Sequence, residues 1–293
     1  MDIPTLLMAL VAFAAQLGVF VWVVVFAALN WRGFAQHWKV GLLLAGLFGL
    51  LSLPVVGFDA AYFDPATAMA ADESLGPGGP NPIGEPIIMA IYLLTTVVGL
   101  VFAVAWMFVC YVVAASEWRK VRAGAMPMLA GGGDIRWGGI ALGAILGTAL
   151  AAATAVVFAW LGVGESLWIE QMRESYPGID QAPRTVLAPV LFLFVGLAAV
   201  VEEVEFRGAL LGSLLRMFGS RGAAALASMV LVSVLFGLMH LLNTDAPLVK
   251  FTQIFILGMM TAELVRRSSL EAAIACHLAL NLVSVAALPF MEW

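Results

Sequence analysis

Charged residues are scarce in this chain of 293 residues. Asp, Glu, Lys and Arg make up 11% of it, against about 25% in a soluble domain, and 63% of its residues are hydrophobic. A water-soluble globular protein is therefore excluded, and we expect no nucleic-acid partner. Cysteine is also rare, because only Cys110 and Cys276 occur, both inside apolar runs. Two isolated thiols exclude a disulfide framework, and we expect them to act as small buried apolar groups.

Long apolar runs occupy most of the chain. A run of about 20 apolar residues crosses a ~30 Å hydrocarbon core, and such runs occur eight times: 4–30, 39–58, 86–115, 137–163, 185–204 with a continuation to 218, 222–242, 250–265 and 270–290. They show no period-two alternation, so we predict helices rather than barrel strands. The predicted fold is an all-α polytopic integral membrane protein with about eight transmembrane helices. Asp2 stands where a cleavable signal would be basic, so we expect the first run to be a membrane helix.

The few basic residues are distributed unevenly between the predicted loops. Of the 14 Lys and Arg residues, 11 fall in one set of alternating loops and three in the other. The basic set comprises residues 31–39, 116–136, 205–221 and 263–271, and the other comprises 59–85, 164–184 and 243–250. The positive-inside rule predicts that the basic loops are cytoplasmic and both termini outside. We expect the protein to reside in a bacterial cell (inner) membrane. Seven of the nine tryptophans, Trp118 among them, lie near run ends, as in an interfacial aromatic belt.

Ionisable side chains inside the runs are concentrated in the carboxy-terminal part of the chain. We therefore predict a four-helix membrane scaffold over residues 1–184, without internal charge, and a four-helix candidate catalytic core over residues 185–293. A charge in hydrocarbon costs roughly 2.5–3.5 kcal/mol, so groups of this kind indicate a functional site. Three motifs contain them: Glu202-Glu203-Val204-Glu205-Phe206-Arg207, Phe236-Gly237-Leu238-Met239-His240 and His277-Leu278-Ala279-Leu280-Asn281.

Helical spacing separates the carboxylates of the first motif. Glu203 and Arg207 are four residues apart on one face, which is the favourable order for an ion pair. Glu202 lies about 100° away from that pair and is therefore the better candidate for a proton acceptor. Glu205 faces a third direction, and we predict a peripheral or gating role for it.

Counting residues tests whether the motifs lie at one depth. Glu202 is 18 residues before Ser220 and His240 is 20 after it, which gives about 27 and 30 Å in an antiparallel hairpin. His277 follows the Arg266-Arg267-Ser268 turn by about ten residues, or some 15 Å. The two estimates agree only if the first hairpin overhangs the membrane by roughly 10–15 Å.

The three motifs contain residue types that can catalyse the hydrolysis of an amide. His277 and Asn281 share a helical face, and so do Phe236 and His240. An imidazole beside a desolvated carboxylate can share a proton with it and activate a water molecule. A second histidine with an asparagine can donate hydrogen bonds to a developing oxyanion.

At these residues the sequence resembles the CAAX protease and bacteriocin-processing (CPBP, Abi) family of intramembrane endopeptidases, related to the Ras-converting CAAX prenyl proteases. That family's pattern is Glu-Glu-x-x-x-Arg, Phe-x-x-x-His and His-x-x-x-Asn on successive helices, and the three motifs match it in order within residues 190–288. The resemblance implies cleavage of a peptide bond in a hydrophobic or lipidated membrane-associated peptide or protein, such as a CAAX-type or lipid-proximal carboxy-terminal segment.

The resemblance also implies roles for the individual residues. Glu202 and His240 would activate the attacking water, and His277 with Asn281 would form the oxyanion hole. Three residues would support the site: Glu203, Arg207 and Phe236.

Metal dependence and overall function have alternatives. Members of the family are often labelled metalloproteases, and Glu202, His240 and His277 could fill a shell for a divalent metal such as zinc. We favour the glutamate-activated water, which requires no cofactor. An ion- or proton-coupled transporter would use the same groups as a relay, and a non-catalytic scaffold or immunity protein would use them to join helices. No inverted repeat is evident, which counts against transport.

Overall fold

In the computed structural model, the chain is described over residues 3–29, 31–62, 84–121, 136–161, 184–241 and 246–287. Helices fill these ranges almost completely, and no strand occurs in them. The helices are α1 (Ile3–Leu29), α2 (Trp31–Tyr62), α3 (Gly84–Val121), α4 (Trp137–Leu161), α5 (Arg184–Glu203), α6 (Leu211–Phe218), α7 (Gly222–Met239), α8 (Pro247–Arg267) and α9 (Leu270–Ala287). A π-helix, Val204–Leu210, joins α5 to α6 in one continuous rod.

The lengths and apolar character of these helices confirm an integral membrane protein. Within the described residues, six stretches are long and apolar enough to cross a membrane: Leu6–Leu29, Gln36–Val55, Ala90–Val121, Trp137–Leu161, Gly222–Met239 and Pro247–Arg267. Leu270–Ala286 in α9 is a shorter apolar helix. The predicted all-α polytopic fold is confirmed, and the count of about eight membrane helices is approximate.

Helix α3 extends further than the sequence predicted. The third run was expected to end at residue 115, but the helix continues to Val121 and contains Glu117, which is fully buried. Its Oε2 atom lies 2.9 Å from Nε of Arg216 on α6, and Lys120 lies 3.3 Å from its Oε1 atom. The sequence analysis assigned Glu117 to the loop 116–136, whereas the structure places it within α3. Hydropathy falls where charged residues begin, but the helix continues because a neighbouring helix supplies the counter-ion.

Glycines bring the π-helix and α6 close to α3. A Cβ atom on Gly208 would lie 2.8 Å from Cβ of Ala114, and one on Gly212 would lie 2.8 Å from Nε1 of Trp118. Any larger residue would force these helices apart, so small residues four apart fix the position of the polar rod. Buried residues of α3 include Cys110, which is a free thiol as predicted.

Helix α4 packs against α9 through a second row of glycines. Cβ atoms on Gly143 and Gly147 would overlap the carbonyl oxygens of Ala272 and Cys276. The two backbones therefore touch, as they do where small residues recur every fourth position. Helix α4 thus supports α9, which bears the third motif. Helix α4 itself belongs to the predicted amino-terminal scaffold, which ends at residue 184. That division stays a prediction.

Candidate active site

The three polar motifs converge where α5 passes into the π-helix. Glu202 and Glu203 are the last residues of α5, His240 directly follows α7, and His277 lies within α9. The Oε2 atom of Glu202 is 3.7 Å from Nε2 of His277 and 3.9 Å from Nε2 of His240. The three motifs therefore lie together, although the two depth estimates from the sequence disagree.

The two adjacent glutamates have different environments. The Glu203 side chain is fully buried, and its Oε1 atom lies 3.3 Å from an Arg207 nitrogen and 3.0 Å from Nδ1 of His277. The Glu202 side chain is 25% exposed, and its carboxylate approaches only the two imidazoles among the described ion pairs. Glu203 is thus held in place, whereas Glu202 can be reached by another molecule.

Phe236 lies between the basic residue and the two histidines. The guanidinium carbon of Arg207, which is fully buried, lies 4.1 Å from the centroid of the Phe236 ring in a cation–π contact. Edge-on contacts join the same ring to His240 at 4.7 Å and to His277 at 5.8 Å between centroids. Phe236 therefore sets the spacing of the imidazoles while it shields the Arg207 charge.

The backbone of the first motif is held from α3. A π-helix is a rare widened turn that leaves carbonyl groups without regular partners and is frequent at functional sites. The indole nitrogen of Trp118 donates to the carbonyl oxygens of Arg207 and Gly208, at 3.0 and 2.9 Å. Trp118 is buried, so its assignment to an interfacial aromatic belt is wrong. Its position near the end of an apolar run gave no signal of this role.

Hydrogen bonds fix which nitrogen of each imidazole carries a proton. Nδ1 of His240 lies 2.8 Å from the Phe236 carbonyl oxygen, which can only accept, so this nitrogen donates. Nδ1 of His277 faces the Glu203 carboxylate and donates to it in the same way. In the neutral rings, the Nε2 atoms that face Glu202 are therefore both acceptors.

Asn281 is placed one turn beyond His277 on α9. Its side-chain nitrogen donates to the carbonyl oxygen of Val195 at 3.0 Å. This bond joins α9 to α5 about two turns before Glu202 and uses one of the two amide hydrogens of Asn281. The second hydrogen is what the predicted oxyanion role requires.

Glu205 lies on the side of the π-helix that faces α3. It is 3% exposed, and the Trp106 indole forms a hydrogen bond with it. The structure thus separates it from the two imidazoles, and its peripheral or gating role stays a prediction.

Among the described residues, no group of three or more His, Cys, Asp and Glu side chains is arranged to hold a metal ion. Glu203 and Nδ1 of His277 pair with each other, and Nδ1 of His240 donates to a carbonyl. These contacts leave the Glu202 carboxylate and the two Nε2 atoms as the candidate metal donors. We derive no step through a metal.

Comparison with known proteins gives one family match. Residues 184–283 match the family described as Type II CAAX prenyl endopeptidase Rce1-like, and this range contains all three motifs. No curated protein and no solved structure gives a significant match. Over residues 184–283, the chain is similar to the Type II CAAX prenyl endopeptidase Rce1-like family, which confirms the resemblance predicted from the motifs and supports an intramembrane protease in general terms.

Proposed function

We propose that the protein is an intramembrane endopeptidase in which Glu202 activates a water molecule to hydrolyse a peptide bond. The observation that carries this proposal is the approach of the Glu202 carboxylate to two imidazole nitrogens, at 3.7 and 3.9 Å. The Glu202 carboxylate and the Nε2 atoms of the two neutral imidazoles are all hydrogen-bond acceptors. No hydrogen bond can therefore join them directly. A donor with two hydrogens is needed between them.

A water molecule meets this requirement. Two acceptors that share one water lie about 4–5 Å apart, close to the 3.9 Å between Glu202 Oε2 and His240 Nε2. Such a water donates to both and directs its lone pairs away from them. As its oxygen bonds to a peptide carbonyl carbon, Glu202 takes the proton that the water loses.

The remaining groups serve the tetrahedral intermediate. His277 lies between the carboxylates of Glu202 and Glu203, so the proton that Glu202 takes from the water can pass to its Nε2 atom. This N–H and the second amide hydrogen of Asn281 would donate to the oxyanion. When the carbon–nitrogen bond breaks, this proton passes back through Glu202 to the leaving amine, which yields a carboxylic acid and an amine.

The position of the site among membrane helices supports one class of substrate. Glu202 is the partly exposed member of an otherwise buried polar cluster among membrane helices. A substrate must therefore bring its peptide bond to the bilayer region. A hydrophobic or lipidated segment, such as a CAAX-type or lipid-proximal carboxy terminus, meets that need. The loop charges support an orientation with both termini outside, and residence in a bacterial inner membrane belongs to the same proposal.

A survey of protein termini in native-host membranes tests the function. The comparison is between wild type and Glu202→Gln, which keeps the shape of the side chain and removes the carboxylate. Glu263→Gln is the matched control, because Glu263 is a partly exposed carboxylate of α8 that pairs only with Arg266 and Arg267 among the described residues. Termini that disappear only in Glu202→Gln identify substrate and cleavage site. Identical termini in all three strains, with folded protein in each, contradict proteolysis and favour transport.

A further inference from the structure

One amide side chain is exposed in the middle of a membrane helix. Gln16 lies on α1 within Leu6–Leu29, a stretch long and apolar enough to cross a membrane, and its side chain is exposed. It stands ten residues from one end of this stretch and thirteen from the other, about 15 and 20 Å. The amide is therefore too deep to reach either headgroup layer.

No described residue satisfies this amide. Gln16 forms no hydrogen bond within the described part of the chain. Thr95, an exposed polar residue of α3, differs in this respect, because its hydroxyl donates to the Tyr92 carbonyl oxygen of its own helix at 2.8 Å. An amide without a partner in hydrocarbon is costly, and such side chains in membrane helices form hydrogen bonds to neighbouring helices. Gln16 therefore indicates a further helix beside α1.

The surface around Gln16 has the pattern of a helix–helix contact. Unburied side chains recur on this side of α1 at intervals of four and three residues, and they form the α1 stripe: Ala9, Phe13, Gln16, Phe20, Val24 and Ala27. This spacing is that of left-handed helix pairs, the commoner geometry in membranes. Gln16 is the single polar member, and one polar residue in such a stripe fixes the register of the pair.

We propose that the α1 stripe joins two copies of this protein, with the two Gln16 side chains hydrogen-bonded to each other. Both copies have the same orientation in the membrane, so a twofold axis along the membrane normal brings identical positions together at equal depth. An amide has both a donor and an acceptor. Each Gln16 nitrogen therefore donates to the carbonyl oxygen of the other copy, and the stripe is complementary to itself.

Helix α3 widens the contact on one side of the stripe. The Phe20 ring stacks on Trp106 and Phe102 of α3, at 4.7 and 6.4 Å between centroids. Phe102 is 59% exposed. Apolar rings thus continue the surface beside Gln16, and a second copy buries them around the central amide pair. None of the three polar motifs lies on α1 or α3, so this inference does not depend on the proposed protease function.

Dilution of the protein in lipid tests the dimer. Full-length protein is labelled at the carboxy terminus with a donor or an acceptor fluorophore, the two populations are mixed in liposomes, and lipid is added stepwise. We expect energy transfer in wild type to persist at low protein density. In Gln16→Leu the density at which half of the transfer is lost should rise about tenfold, the value of two interhelical hydrogen bonds.

Two further variants control the dilution experiment. Gln16→Asn retains an amide at the same depth and should retain most of the transfer. Gln36→Leu removes the other exposed amide of the described residues, which stands at the first residue of its membrane stretch rather than in the middle. It should behave as wild type, because an amide at the membrane surface is satisfied by water.

Disulfide cross-linking tests which face of α1 forms the contact. Phe13→Cys puts a thiol on the α1 stripe, about one turn from Gln16. Gly18→Cys puts it about 160° away from Gln16 around the helix, where a Cβ atom meets nothing within 4 Å. The native thiols Cys110 and Cys276 are buried. Mild oxidation should therefore link two copies through position 13 and not through position 18.

Three results would overturn the proposal. Absence of energy transfer in wild type at every density contradicts the dimer. Equal transfer in wild type and Gln16→Leu, or linkage through position 18, contradicts the contact at Gln16. A photo-crosslinking group at position 16 that links only to a different membrane protein in native-host membranes would show that Gln16 binds a helix of that protein instead.

Discussion

The indole nitrogen of Trp118 lies 2.9 Å from the carbonyl oxygen of Gly208 and donates a hydrogen bond to the π-helix. Gly208 has no side chain, and any Cβ there would press on Ala114 of the same α3 helix. The hydrogen bond and the close contact both hold the backbone of the π-helix, which directly follows Glu202 and Glu203. The position of both carboxylates relative to the histidines therefore depends on α3.

Trp118→Phe tests this dependence. The change retains an aromatic ring but leaves two buried carbonyl groups, those of Arg207 and Gly208, without their donor. An unsatisfied buried group costs about 1–3 kcal/mol, so we expect a lower melting temperature and about a tenfold loss of kcat from a misplaced Glu202. Melting and cleavage are measured on the same preparation.

Trp22→Phe is the matched control, because Trp22 donates a 2.6 Å hydrogen bond to Ser213 of α6, beyond the π-helix. It should lower stability and leave kcat nearly unchanged. Equal kcat values in the two variants would show that the π-helix does not position the site.

Substitutions of the two adjacent glutamates are expected to affect cleavage and stability differently. Glu202→Gln removes the proton acceptor from a partly exposed position, so cleavage disappears while the melting temperature stays close to that of wild type. Glu203→Gln leaves the buried Arg207 charge without its carboxylate, and breaking such a pair costs about 3–5 kcal/mol. Thermal unfolding in detergent, alongside peptide cleavage, measures both effects. A stable Glu203→Gln enzyme with full activity would contradict the positioning role of that carboxylate.

Gly147→Ala is expected to displace α9. The new methyl group would overlap the Cys276 carbonyl oxygen, next to His277. Because backbone cannot move aside as a flexible side chain can, α9 must shift, and a misplacement of about 1 Å can lower activity about 100-fold. Cleavage and melting temperature are measured together. The control is Gly138→Ala, which has open space around the added methyl group and should behave as wild type.

The sequence predicted which polar side chains lie together better than it predicted the elements that hold them. The spacing of Glu203 and Arg207 predicted their ion pair, and the i,i+4 pairs on the later helices predicted which side chains share a face. The π-helix was not predictable, because it depends on Trp118 and Gly208 meeting across 90 positions of sequence.

The glutamate-activated water predicts that metal chelation leaves cleavage unchanged. A zinc site needs three protein donors at about 2.0–2.2 Å from the ion, and the described residues contain no such group. Prolonged dialysis against a strong chelator, followed by peptide cleavage and elemental analysis, measures this. Loss of activity that added zinc restores would contradict the proposed water mechanism. In that event Glu202, His240 and His277 would be the candidate ligands, and an alanine at any one of them should abolish the bound zinc, whereas Glu263→Gln should retain it.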